Sequence, residues 1–155
     1  MGFRRELIDE SGAPKAVMEF NQRKNLRADR VLLRLGPDSE VGTVRRIFMS
    51  YVTERMTFTQ IAAALNRDRA FTQRGNLWRQ ATIAQVLSNE VYCGNIVFNR
   101  RSYKLGQMRV SNPPEMWVRR DGAVAPIVSP EIFARAQALM DDQRSRISDS
   151  RALEK

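Results

Sequence analysis

The spacing of apolar residues changes along this chain, and each change marks an expected element. Between residues 1 and 36 apolar positions come in short runs broken by turn formers. Phe3 to Ile8 reads as a strand, Asp9-Glu10-Ser11-Gly12 as a turn, and Ala16 to Phe20 as the partner strand. Asn21 to Asp29 is polar and basic and reads as loop, and Val31 to Leu35 is an apolar run stopped by Gly36-Pro37. After Pro37 the spacing becomes three and four. Val41, Val44, Ile47, Phe48, Tyr51 and Val52 make one stripe, predicting a helix to about Met56 with Arg46, Ser50 and Thr53 on its other side. A second helix opens at Thr57, where Thr57 and Gln60 match a capping box. Phe58, Ile61, Ala62 and Leu65 are its inward face and Asn66 its expected stop. A third runs from about Gln80 to Ser88. Ile83, Val86 and Leu87 face inward, Ala81, Gln85 and Ser88 outward, and Thr82 and Ala84 lie at the flanks.

Beyond Gly94 the period shifts to two. Asn95 to Arg101 reads as a strand, Met116 to Arg119 as its partner, Tyr103 to Pro114 as a basic loop, and Asp121-Gly122 as a turn. Ser129-Pro130-Glu131 starts a last helix with a capping serine, a proline at the first position and an acid in the first turn. Ile132, Phe133, Ala136, Leu139 and Met140 form its apolar face, and from Asp141 the chain is polar and expected to fray. The expected class is α+β: a helical core with a loose helix-turn-helix-like pair, plus short antiparallel strands and hairpins. The organisation expected is a β-rich arm at 1–36, a core at 37–143 and a polar tail at 144–155.

Charge narrows the partners. Lys and Arg number 26 against 17 acids, a formal +9, which favours a polyanion. No apolar run approaches the roughly 20 residues that span a bilayer, and no signal-peptide pattern opens the chain, so no membrane is expected and a cytoplasmic location is. With no histidine and the single Cys93, the usual zinc sites, histidine-based hydrolysis and an internal disulfide are all excluded. No metal or cofactor is expected, and Cys93 reads as a packed small residue.

The segment from Thr57 to Gly94 carries the candidate chemistry. Outward residues of the third helix are small or amide-bearing, which lets a helix approach base edges and lets Gln pair with adenine. Arg67, Arg69, Arg74 and Arg79 precede that helix and suit phosphates, although the same residues also fit a solvated helix end. The connection of 13 residues from Arg67 to Arg79 exceeds the roughly three to four of a strict helix-turn-helix. Gly75-Asn76 marks a turn in it, and Trp78 is expected to anchor it, its indole N–H requiring a partner. Arg100, Arg101, Lys104 and Arg109, with Tyr103 among them, form a second basic set that fits either a phosphate backbone or a solvated hairpin tip. Arg4, Arg5, Arg23, Lys24, Arg27 and Arg30 form a third.

Four ordered pieces then resemble one family: Val44-Arg45-Arg46-Ile47-Phe48; Thr57-x-x-x-Ile61-Ala62-x-x-Leu65-Asn66; Thr72-x-x-Gly75-x-x-Trp78; and Val86-Leu87-x-Asn89-x-x-Tyr92-x-Gly94. Together they look like the recombinase domain of large serine recombinases of the resolvase/invertase type. The likeness extends back to Gly2-Phe3-Arg4-Arg5 and forward through Pro126-Ile127-Val128-Ser129 and Phe133, to about Arg144. Arg79 departs from the pattern, standing where a Ser or Thr helix cap is usual.

The resemblance implies a domain that binds double-stranded DNA at an attachment site beside the crossover point. The parent would be bacterial or phage-encoded and dimeric or tetrameric on DNA. It would also contain a catalytic domain with a nucleophilic serine and a zinc-ribbon domain. Neither is expected in this chain, which is read as an isolated domain with no cleavage activity of its own and an added Met1. Expected DNA-contacting residues are Arg74, Arg79, Gln80, Thr82, Gln85, Arg100, Arg101 and Lys104, supported by Leu65, Trp78, Ile83, Leu87, Tyr92 and Gly94. The alternatives are a free-standing helix-turn-helix-like transcriptional regulator and a protein-interaction module with a basic surface.

Overall fold

A computed structural model describes residues 1–18, 22, 30–102 and 110–153, with side chains as far as Arg146. Three strands come first: β1 (Phe3–Ile8), β2 (Pro14–Met18) and β3 (Arg30–Leu35), in the order β2-β1-β3 and antiparallel throughout. β2 begins two residues before the expected Ala16, because Ile8 pairs with Pro14 across a register shift. Phe20 and most of the expected 21–29 loop, with Arg23, Lys24 and Arg27, lie outside the described residues.

Four helices follow: α1 (Asp38–Val52), α2 (Phe58–Arg67), α3 (Gln80–Leu87) and α4 (Pro130–Leu153). All six stripe residues of α1 are buried. This helix ends four residues before the expected Met56. Thr53 and Glu54 both donate to the Met49 carbonyl and Met56 donates to that of Ser50, with Arg55 in the left-handed region at φ 57°. The same turn passes over Ser50, which is buried rather than outward as expected. In α2 the Thr57 hydroxyl accepts from the Gln60 N–H while the Gln60 side chain accepts from the Thr57 N–H, so the capping box is complete. α2 continues one residue past Asn66, to Arg67.

The helices enclose one apolar cluster in which Val44, Ile47, Phe48, Ile83, Leu87 and Ala136 have no exposed surface. Tyr92 joins the outer pieces to it. Its ring stacks on Phe3 at 6.0 Å and meets Phe48 edge-on at 6.1 Å. Its carbonyl accepts from the Ile127 and Val128 N–H groups at 2.8 and 3.0 Å. Burial, aided by the Glu40 charge, pushes its phenol up to about 12. Gly94, at φ 96°, ends the 3-10 turn Glu90–Cys93, and a Cβ there would lie 3.0 Å from the Val124 carbonyl oxygen. These contacts explain the Asn89-x-x-Tyr92-x-Gly94 closure: the Asn89 side chain caps the turn, Tyr92 packs and Gly94 turns away.

Beyond Gly94 the single strand expected at 95–101 is two: β4 (Ile96–Phe98) and β5 (Arg101–Ser102). Asn99 stands between them at φ 58°, a conformation that asparagine tolerates better than most residues. β4 pairs with β7 (Val118–Arg120), and Met116 belongs instead to a 3-10 turn at Pro114–Met116. β5 pairs with β6 (Val110–Ser111), inside the span expected to be loop. Buried Asn112 explains the arrangement. Its amide donates to the Asn99 carbonyl at 2.7 Å, and its oxygen accepts from the Ser102 hydroxyl at 2.6 Å. α4 starts as expected, with the Ser129 hydroxyl accepting from the Ile132 N–H. It stays helical to Leu153 where fraying was expected, and the Asp141–Arg144 and Asp142–Arg146 pairs lie along its exposed side.

Candidate nucleic-acid interface

α3 is positioned from three directions. Its inner residues Ile83, Val86 and Leu87 sit in the core. Its last carbonyl, that of Leu87, accepts from the Gln137 amide of α4 at 2.6 Å. Its entry is fixed by Asn66, whose side chain accepts from the Trp78 N–H at 2.8 Å and donates to the Trp78 carbonyl at 3.0 Å. One asparagine thus pairs both backbone groups of a residue twelve positions later, as a strand neighbour would. Trp78 is buried, and its indole N–H donates to the Ala70 carbonyl, the partner that burial requires. The connection between these anchors turns at Thr72–Asn76: Thr72 donates to the Asn76 carbonyl and Gly75, at φ 75°, to that of Thr72. Arg79 precedes α3 in extended conformation and makes no side-chain cap, in keeping with its departure from Ser or Thr.

This loop and one side of α3 border an open depression of about 1140 Å³. Arg74, Arg79, Thr82 and Gln85 line it together, and no acid does so among the described residues. Gln73 and Asn89 add further amides to its wall. The depression therefore offers two guanidiniums and several two-way amide groups, a set suited to phosphates and base edges. Gln80 is exposed at the first position of α3 but does not line the depression. Ser88 is half-buried, not outward, with its hydroxyl donating to the Ala84 carbonyl.

The hairpin residues lie apart from that group. Arg101 is exposed on β5. Arg100 is engaged within the protein: it donates to Glu90 at 2.8 Å, lies 4.8 Å over the Trp117 ring, and has a buried Nε without a hydrogen-bond partner. Lys104, Tyr103 and Arg109 lie outside the described residues. In the arm, Arg4 makes a two-toothed pair with Glu40, at 2.9 and 2.6 Å. Among the support residues, Leu65, Trp78, Ile83, Leu87 and Tyr92 are all core. Cys93 is buried, and burial together with the Glu90 charge pushes its thiol up, away from reactivity.

Sequence reasoning missed Gln73 and Asn89 in the wall, Asn66 as the brace, and Glu90. The helical period could have placed Asn89 near the wall, one turn past Gln85. No local pattern connects Glu90 with Arg100 and Arg119, ten and twenty-nine residues away.

A helical body whose α3 borders a depression lined by Arg74 and Arg79 is the frame of the site, and comparison with known proteins supplies the family. The Recombinase family model matches residues 38–143, and the chain belongs to that family. No curated protein matches. Among solved structures, one described as "Crystal Structure of a LSR-DNA Complex" is similar at 23% identity and a TM-score of 0.48, over 71% of this chain and 30% of that one. This chain therefore spans about a third of the length of that relative. No described helix is long and apolar enough to cross a membrane.

Proposed function

We propose that this chain is the duplex-DNA-binding domain of a large serine site-specific recombinase and binds the attachment site beside the crossover point. In this reading residues 37–143 are the binding body, 1–36 a β-rich arm on it and 144–155 a polar tail. A catalytic serine domain and a zinc ribbon belong to the parent, which works as a dimer or tetramer on DNA. The observation that carries the reading is the convergence of Arg74, Arg79, Thr82 and Gln85 on one acid-free depression in a member of the Recombinase family. Arg74 and Arg79 hold phosphates, while Thr82 and Gln85 meet base edges in the major groove. Gln80 and Arg101, both exposed, extend the contact to either side.

Selection from a pool of random-sequence duplexes, followed by sequencing, tests this. One enriched sequence is expected, and Gln85→Ala should relax preference at one of its base positions by roughly 1–3 kcal/mol. Recovery of an unenriched pool, or unchanged preference in the variant, would defeat the groove assignment.

A further inference from the structure

Glu90 lies three residues past Leu87, the end of α3, at the start of the 3-10 turn that leads into the hairpin. Its side chain is 18% exposed and its two oxygens take different partners: Arg100 at 2.8 Å on one and Arg119 on the other. Arg119 also reaches Asp121 at 2.7 Å. Arg100 follows β4 and Arg119 is on β7, so one carboxylate attached to the reading helix grips the hairpin on both sides. The grip is reinforced where Arg100 lies over Trp117, whose indole donates to the Asn112 carbonyl at 2.8 Å. Arg100 has a buried Nε without a hydrogen-bond partner, although its side chain as a whole is 40% exposed.

Resting on the reading above, we propose that Glu90 is a specificity-determining positioning residue. It withholds Arg100 and Arg119 from indiscriminate phosphate contact and fixes the hairpin's orientation relative to α3. Guanidiniums prefer a two-oxygen anion, and a carboxylate and a phosphate compete for the same fork. With Glu90 present, two cations flanking the reading helix are already satisfied, so binding leans on the base-reading residues. Without it, Arg100 loses its carboxylate and Arg119 keeps only the exposed Asp121, so both can add the sequence-independent attraction that the phosphate backbone offers in any duplex. Glu90 itself touches no DNA in this scheme.

Glu90→Gln keeps the shape and removes the charge. Binding is compared on the duplex enriched from a random pool and on a scrambled duplex of the same composition, across a salt series. The variant should bind the scrambled duplex more tightly, by up to about tenfold, and its log–log salt dependence should steepen by up to about 0.9 per released arginine. The ratio of enriched to scrambled affinity should fall. Adding Arg119→Gln to that variant should return part of the slope. Glu115→Gln, which removes an exposed acid elsewhere in the hairpin, controls for net charge alone. An unchanged slope and ratio, or an equal effect from Glu115→Gln, would overturn the proposal. If Glu90→Gln fails to fold, Arg119→Gln alone still decides, because a slope lowered by about 0.9 would mean that Arg119 already contacts phosphate beside an intact Glu90. Failure of the parent reading looks different: the unsubstituted chain then enriches no duplex.

Discussion

Phe48, Ile47 and Leu87 in the helical body have no exposed surface, whereas Phe98, Met116 and Val118 in the hairpin leave more than half of theirs open. The two regions stand on different supports. The body is an apolar cluster closed by four helices. The hairpin is organised by polar groups: Asn112 between Asn99 and Ser102, and Arg100 between Glu90 and Trp117. The N-terminal sheet has the same kind of joint, since Glu40 of α1 receives two nitrogens of Arg4 and the Gly2 N–H. Each β piece is thus tied to the helical body through one partly buried glutamate. Non-directional packing makes the platform stable, and directional contacts set the angle at which its appendages meet it.

The largest expected effect lies in the body. Phe48→Ala removes a fully buried ring that meets Tyr92 and Phe133 and should cost about 3–5 kcal/mol in urea unfolding. A cost below about 1 kcal/mol would mean that the body is not the stable partner in the comparison. Next is Asn112→Ala, which strands the Asn99 carbonyl and frees Ser102 at a cost of about 1–3 kcal/mol. Hydrogen exchange should speed up across β4–β7 and leave α1 and α3 protected. Uniform acceleration throughout the chain would instead make body and hairpin one cooperative unit. Smaller again is Thr57→Ala, which removes half of the α2 capping box for about 1 kcal/mol, read as a lowered urea midpoint with unchanged slope.

The body was legible in the sequence because its signals are local. Stripes at three and four, the Thr57–Gln60 box and Ser129-Pro130 each fix an element from neighbours within one turn, and α1, α2, α3 and α4 all start where those signals put them. The hairpin was not, because its shape depends on Asn112 acting thirteen residues from Asn99 and on Glu90 acting ten from Arg100. Period-two patterning cannot register a left-handed Asn99, so one strand was expected where there are two. The depression was half legible. Arg74, Arg79, Thr82 and Gln85 were expected as DNA contacts from composition and resemblance, but only the Asn66–Trp78 brace explains how a long connection folds back beside α3. Arg100 shows the limit of counting charges: an arginine in a basic run can already be engaged by an acid distant in sequence.

The smallest expected effect tests the joint at the N-terminal sheet. The hydrogen bonds from Arg4 hold the Glu40 carboxyl below its ordinary value, reinforced by the Gly2 N–H and opposed by burial. A carboxylate held low in the folded state contributes stability that is complete above its unfolded value and disappears as pH falls through the folded one. Glu40→Gln removes that titration. Between about pH 5 and pH 2 the unsubstituted chain should therefore lose stability faster than the variant, with the difference gone in strong acid. Asp9, Asp68 and Glu131, whose carboxyls are also held low, titrate identically in both proteins and cancel in the difference. Parallel curves from neutral pH to strong acid would show that Glu40 joins sheet to body by shape alone. That outcome would leave the hairpin as the one β piece whose attachment depends on charge.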